Sequence, residues 1–436
     1  MLERIDATRG AEGVSAFLNR RQEARREVSR EVTEIGRAVR DRGWEAIAEL
    51  TARFDGIRKE ARPEAFRVSE ADFRASESAL SSELRGAIEL AIERVRVFHE
   101  KQKRADWFHE EIGIRTGQLF RPLERVGVYA PGGAAVLFST LIMDVIPAQV
   151  AGCPSLAVCS APSKETGTVS PILLATCRML GIEPAQVWAI GGAQAIFALA
   201  SELPGFPRVD GVFGPGNAYV MEAKRQVLGE ARIESLPGNS EILVIADMSA
   251  EPRYVAADLL SQAEHAGGEM SILVSPSAEL LEKVEAEVER QLAALPRHEI
   301  AASSLRGGGA AIRVRDLDQA CEVANLVAPE HLEIQTQDPE SLLGKIRHAG
   351  AVFLGRWSTE PIGDYTAGTN HVLPTGGSAR FSSALSVDDY MKKISVVRVE
   401  PEGLRKIGPA AMALAEAEGL QGHRAAIELR MKDLAG

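Results

Sequence analysis

The chain has few cysteines, no strongly basic face and no long apolar run, and each shortage removes a class of protein. Four cysteines in 436 residues do not make a disulfide framework, and without a Cys-x-x-Cys a thiolate zinc site is not expected. Cys159 lies in the apolar run Leu156-Ala-Val-Cys, Cys177 and Cys321 fall in helical patterns, and Cys153 precedes Pro154 in a turn-like setting; all four read as small buried residues. The 50 lysines and arginines are outnumbered by 61 aspartates and glutamates, and the net charge of −11 argues against a nucleic-acid footprint. The most apolar window, 134–150, carries Asp144 and Pro147 and makes a poor membrane span. Met1-Leu-Glu-Arg-Ile-Asp lacks the apolar core of a secretory signal, so a cytoplasmic location is expected. Gly-x-Gly-x-x-Gly after a first strand, the usual mark of a dinucleotide site, is missing as well.

A chain of this length is too long for one core and predicts two or three domains. The first hundred residues read as helical, with Val28, Val32, Ile35 and Val39, then Leu84, Ile88, Ala91, Val95 and Phe98, at helical spacing among charges. From Arg125 short β-rich runs alternate with helices: strands at 126–130, 156–159, 186–190 and 209–213, several followed by tight glycine turns. A second series begins at Glu241, with strands at 242–246, 271–274, 311–314 and 351–354 and helices at 253–265, 278–295, 317–326 and 339–348. Such alternation predicts two successive α/β modules with parallel sheets, whose ligands bind at the carboxyl ends of the strands. A short strand at 394–399 and two helical pieces, broken near Gly419 and Gly422, finish the chain.

Polar residues without an obvious structural task fall in four places. In Asp258-Leu-Leu-Ser-Gln-Ala-Glu-His265 the side chains of Gln262 and His265 leave one helical face. An amide oxygen beside an imidazole can share a cation such as zinc or a polar substrate, or the stretch is simply a helix end before Gly267-Gly268. Ala328-Pro-Glu-His-Leu332 sets Glu330 beside His331, either a general-base pair or a solvated helix-to-strand junction. Between Gly363 and Thr375 a long stretch with little secondary-structure signal carries the hard donor Asp364 and a further imidazole, His371. In the tail, Glu418 and His423 flank a helix break; His423 can be a ligand only if the tail reaches a site, as it would across a partner subunit. Gly214-Pro-Gly-Asn217 opens a helix after a strand, where backbone N–H groups favour anionic oxygens.

Taken together, these stretches resemble the histidinol dehydrogenase family from about Arg121 to His423. The carriers are Val126-Gly-Val-Tyr-Ala-Pro-Gly-Gly133, Gly191-Gly-Ala-Gln-Ala195, Phe213-Gly-Pro-Gly-Asn217, the Asp258–His265 stretch, Ala328-Pro-Glu-His-Leu-Glu333 and Gly368-Thr-Asn-His-Val-Leu-Pro-Thr375. The resemblance implies two incomplete Rossmann-like parallel-sheet domains, with helical N-terminal and C-terminal segments used in dimerisation. The boundaries expected are an N-terminal helical segment at 1–24, one domain from 25–125 with 238–380, a second over 126–237, and a dimerisation tail at 381–436. It implies one zinc ion per subunit on Gln262, His265, Asp364 and His423, with His423 and Glu418 supplied in trans in a homodimer. Glu330 and His331 are implied as the acid/base pair, with Ser240, Glu418 and His331 as substrate contacts beside the zinc ligands. Tyr129, Gln194 and Asn217 resemble the NAD contacts, which accounts for the missing glycine fingerprint. The implied reaction takes L-histidinol through L-histidinaldehyde to L-histidine with two NAD+. Asn239 before Ser240, and Ala266-Gly-Gly-Glu269 after His265, depart from the family pattern beside the implied site.

Other readings compete with this one. A sister dehydrogenase acting on another small polar alcohol, such as a sulfonated diol, has less use for the full set Ser240, Gln262, His265, Asp364, Glu418 and His423. A zinc-dependent hydrolase would use Glu330 as base toward a metal-bound water. A zinc-stabilised assembly protein leaves Glu330-His331 without a purpose.

Overall fold

The computed structural model describes residues 2–20, 28–132, 136–236, 238–265 and 268–435. Gly133 of the first motif, Ala266 and Gly267 of the second departure, and the expected boundary at 24/25 lie outside the described residues.

Two parallel sheets carry the architecture. The five-stranded sheet has the order Val187–Trp188, Ser155–Cys159, Arg125–Tyr129, Gly211–Phe213, Arg232–Ile233. The six-stranded sheet runs Glu3–Asp6, Gly309–Arg313, Met270–Ser275, Glu241–Ala246, His331–Gln335, Ala351–Leu354, every neighbouring pair parallel. Strands such as Glu241–Ala246 and Met270–Ser275 are buried along their whole length, because helices cover both faces of a parallel sheet. An antiparallel sheet of three strands joins Trp107–Glu111, Ile114–Pro122 and Met391–Val399. Its two early strands lie between the helical first hundred residues and the strand series expected from Arg125. Among the described residues no helix is long and apolar enough to cross a membrane.

The N-terminal segment is more than helical, since Glu3–Asp6 adds an edge strand to the six-stranded sheet, in register with Ala310–Arg313. The helices Ser29–Arg42, Trp44–Phe54 and Ser82–Glu100 were grouped by the expected boundaries with residues 238–380. Their apolar faces pack instead into the cores of the five-stranded sheet and the helices that cover it: Val32, Ile35, Val39 and Ile47 with Trp188, Phe197 and Leu199, and Ile88 and Val95 with Val126, Val128 and Ile146. Aromatic rings fasten this contact, Trp44 stacking on Trp188 at 6.1 Å and meeting Phe206 edge-on at 5.8 Å between centroids. Such pairs add about 0.5–1.5 kcal/mol each beyond area burial. Long-range packing decided what helical periodicity could not, namely which sheet receives the helices.

The segment after Ala367 ties the two parallel-sheet bodies together. Asn370 Nδ2 donates to the Met143 carbonyl at 2.7 Å and lies 3.3 Å from His99 Nε2. Val372, Leu385, Val387 and Tyr390 then enter the core beside the strand Arg125–Tyr129 and the helix Phe138–Ala151. His99 is wholly buried, with Nδ1 2.8 Å from the Val95 carbonyl. It is a structural histidine of the core, not one at the surface. The tail forms two helices, Pro401–Ala417 and Gln421–Asp433, packed on each other; the second buries none of its residues.

Candidate active site

Glu330 and His331 stand where the strand His331–Gln335 begins, so the site lies at the amino edge of the six-stranded sheet. That differs from the carboxyl-edge expectation, and the reason is local. The helix Pro252–Ala263 follows the strand Glu241–Ala246 and returns antiparallel to it, so its last turn, with Gln262, comes back to the strand's amino end beside Ser240. His331, Glu333 and Gln335 alternate with Leu332 and Ile334 in a strand buried at every position. The two apolar residues face a core with Ala320 and Val323, whereas the three polar ones meet the helix bearing Asp258 and Gln262.

His331 Nδ1 is 2.9 Å from Gln262 Oε1 and 3.2 Å from the Glu241 carbonyl. Both neighbours accept, so Nδ1 carries the proton in the neutral ring and Nε2 offers a lone pair. Among the described residues no hydrogen-bond partner meets that Nε2, which lies 3.7 Å from Asp364 Oδ1 and 3.9 Å from Glu360 Oε1. Burial alone would lower the ring's pKa, but Glu330, Asp364 and Glu360 outweigh it and push His331 up to about 10. Glu330 accepts the Glu241 N–H at 2.9 Å, and burial pushes its carboxyl up to about 7.

A short helix, Glu360–Tyr365, brings up the facing wall. Glu360 and Asp364 are four apart on it and share a face, where two like charges repel. Burial and the Asp364 carboxylate push Glu360 up to about 8. Asp364 is held below the usual carboxylate range, against the effect of burial, by the imidazoles of His331 and His371. His371 Nδ1 lies 3.0 Å from the Asp364 carbonyl, and burial lowers its pKa.

Beneath this wall is a cluster that sequence reasoning missed. Gln335 Nε2 donates to Asp258 Oδ2 and to Glu333 Oε2, each at 2.7 Å. The Thr359 hydroxyl donates to Asp258 Oδ1 at 2.7 Å, and the Glu360 N–H to Glu333 Oε1 at 2.9 Å. Asp258 and Glu333 also hydrogen-bond to each other, which requires one of them to hold a proton; burial drives both upward, Glu333 well above its ordinary value. This protonated pair anchors the start of the helix that presents Glu360 and Asp364. Its sequence signal was available: three polar residues at period two in a strand between apolar neighbours.

The structure brings Ser240, Gln262, Glu330, His331 and Asp364 together, sets His265 at the rim where it acts on His371, and leaves two of the implied site residues apart from them. His265 lies two residues past the end of its helix, exposed, with its carbonyl held by Arg297 Nη2 at 2.8 Å. Glu418 and His423 are exposed at the junction of the tail helices, and among the described residues no hydrogen bond or ion pair joins them to the cluster. Glu360, absent from the implied ligand set, forms with His331 and Asp364 a group whose donor atoms lie within 4.8 Å of one another. Two carboxylates, Glu360 buried and Asp364 half-buried, and a buried imidazole nitrogen without a hydrogen-bond partner among the described residues fit a site built around a cation. At its rim the two departures meet, as Asn239 Nδ2 donates to the Gly268 carbonyl at 2.7 Å.

The implied NAD contacts stand at the carboxyl edge of the five-stranded sheet. Tyr129 ends its strand with its hydroxyl accepting the Gly192 N–H at 3.0 Å, and burial raises its pKa to about 12. Gln194 is buried with Oε1 unpaired, at the start of the helix Gly192–Ala200. Asn217 caps the helix Ala218–Val227, its Oδ1 accepting from Tyr219 and Val220, so only its amide NH2 is left for a ligand.

Comparison with known proteins gives one consistent answer. The family described as histidinol dehydrogenase matches residues 18–431. The histidinol dehydrogenase of Heliobacterium mobile is 47% identical over 407 residues, covering 93% of this chain and 94% of that one. That of Deinococcus radiodurans is 50% identical over 396 residues, 90% and 88% of the two chains. A crystal structure of histidinol dehydrogenase from Elizabethkingia anophelis superposes with a TM-score of 0.94 at 36% identity, covering 100% of this chain and 99% of that one.

Proposed function

The chain belongs to the histidinol dehydrogenase family, and from that membership we propose that it oxidises L-histidinol through L-histidinaldehyde to L-histidine with two NAD+. The observation that carries the reading is the buried, unpaired Nε2 of His331, set among Glu330, Glu360 and Asp364. Gln262, His265, Asp364 and the partner subunit's His423 would hold one zinc ion per subunit, with Glu360 as a neighbouring carboxylate. When bound, zinc supplies a positive charge that holds the substrate's imidazole and amino nitrogens and offsets the carboxylates around His331. NAD+ supplies the hydride acceptor at each oxidation, with Tyr129, Gln194 and Asn217 as its contacts.

In the first oxidation His331 Nε2 takes the proton of the alcohol hydroxyl as hydride leaves the carbon that bears it. Gln262 and the Glu241 carbonyl keep the other ring nitrogen protonated, so the acceptor is always the nitrogen facing the site. Glu330 then removes a proton from water as its oxygen adds to the aldehyde carbon, and the resulting hydrate loses the second hydride. A carboxyl with a pKa near 7 suits that step, because it can accept and release the proton near neutrality. Ser240 and the partner's Glu418 complete the substrate contacts.

A homodimer accounts for the exposed tail. Val397, Leu414 and Leu429 are 68%, 67% and 63% exposed, more apolar surface than an isolated helix pair and strand would leave to water. A cytoplasmic location goes with a biosynthetic oxidation that draws on free NAD+. The decisive measurement is NADH formed per L-histidinol consumed, before and after chelation. Two NADH per substrate, lost with the metal, is expected; no NADH from L-histidinol would refute the assignment. Mixing His423→Ala with Glu330→Gln subunits is expected to restore part of the activity, and no recovery would rule out the shared site.

A further inference from the structure

Under the turn Gly214–Asn217 lies a group of buried polar side chains that the reaction above does not use. Lys224 is completely buried and Glu234 nearly so, and their ends meet at 2.6 Å. Both also grip the same residue. Lys224 Nζ donates to the Gly214 carbonyl at 3.0 Å, and the Gly214 N–H donates to Glu234 Oε1 at 2.9 Å. Gly214 adopts φ +112°, and a Cβ there would run into the carbonyl oxygen of Tyr129. The turn therefore sits directly on the strand end that carries one implied NAD contact and opens the helix capped by another, Asn217. The hydroxyl of the same Tyr129 holds Gly192, two residues before Gln194, so the two turns are mechanically joined through one side chain.

Around the ion pair the accounting is incomplete in a consistent way. Both oxygens of Asp144, Glu234 Oε2 and the Tyr390 hydroxyl are buried without hydrogen-bond partners among the described residues. Burial and the Glu234 carboxylate drive the Asp144 acid well above its ordinary range, so Lys224 and Glu234 neutralise each other and Asp144 adds no second charge. A buried ion pair is often no more stabilising than apolar residues of the same shape. Stability alone is a weak reason for a fold to keep one whose two ends both close on the backbone of a single residue.

We propose that the Lys224–Glu234 pair positions the dinucleotide-binding turn: by gripping Gly214 through both its N–H and its C=O, it sets the direction in which Gly214–Asn217 faces the cofactor. The proposal rests on the reading that NAD+ binds at this edge of the five-stranded sheet. Lys224 and Glu234 are positioning residues, acting through the turn's backbone without touching substrate.

The test uses the full-length, zinc-loaded protein and three variants, Lys224→Met, Lys224→Met with Glu234→Gln, and Gln194→Ala. NAD+ affinity is read by calorimetry, and KM for NAD+ and for L-histidinol by steady-state kinetics. The double variant buries no unpaired charge and decides the matter if Lys224→Met alone fails to fold, since methionine still cannot donate to the Gly214 carbonyl. Expected are rises of at least tenfold in the Kd and KM for NAD+ in both Lys224 variants, with KM for L-histidinol moving less than twofold. NAD+ affinity unchanged in a folded Lys224 variant but weakened by Gln194→Ala overturns the positioning role and keeps the cofactor site. Affinity unchanged in all three removes the cofactor site from this edge, and the proposal with it. A parallel rise in both KM values shows general damage to the fold and also overturns it.

Discussion

Replacing Glu333 with glutamine and with alanine separates a hydrogen-bonding role from a titrating one. Its carboxyl is fully buried, accepts the Glu360 N–H and the Gln335 amide, and shares a proton with Asp258. Glutamine keeps an oxygen for Glu360 and an NH2 for Asp258, so the loss is one hydrogen bond, about 1 kcal/mol. Alanine strands the Glu360 N–H and the Gln335 amide in the interior at about 1–3 kcal/mol each, and the emptied volume adds to that, for about 3–7 kcal/mol in all. The pH dependence gives the second readout. Burial holds the folded-state pKa of Glu333 well above its ordinary 4.5, so the native state keeps a proton that the unfolded chain releases. The associated stability is complete below the unfolded value and declines as pH rises through the window between the two, by up to about 1.4 kcal/mol per pH unit. Glu333→Gln removes that decline. The assay is the denaturation midpoint of the metal-free protein, measured at several pH values from about 5 to 7, where unfolded glutamates are ionised. An unchanged slope in the glutamine variant, or an alanine variant no less stable than it, would refute the shared-proton pair.

Two further outcomes follow from the site and the tail. Glu330→Gln should slow the aldehyde step by about 10²–10³-fold while leaving the first NADH of a single turnover in place; a first step slowed equally would assign Glu330 a different job. Because burial lifts Glu330 to about 7 and a base must be ionised, aldehyde oxidation by the parent should fall as pH drops below that value. The glutamine variant should lose this limb from its pH–rate profile. Leu414→Asp, at a side chain 67% exposed in the single subunit, should shift the protein toward monomer in sedimentation velocity and lower activity in parallel. A stable, fully active dimer would place the subunit contact elsewhere.

Much of this protein could be read in its residues. Alternation of apolar runs with helical periodicity located the parallel strands at 125–129, 155–159, 241–246 and 270–275 to within a residue or two, because a strand covered on both faces must be apolar throughout. The broken tail, three of the four expected buried cysteines and the Glu330-His331 pair were equally legible, since each depends on local composition; Cys153 is only half-buried. Tertiary structure alone decided which sheet receives the helices of the first hundred residues, for an amphipathic face specifies burial and not its partner. It also decided that Glu3–Asp6 extends the six-stranded sheet, a pairing across some three hundred residues of chain. The site's place at the amino edge of that sheet came from the return of one helix, and the Asp258–Glu333 pair from a helix and a strand distant in sequence. Buried charges find their partners through space, and the order of residues along a chain does not record which ones will meet.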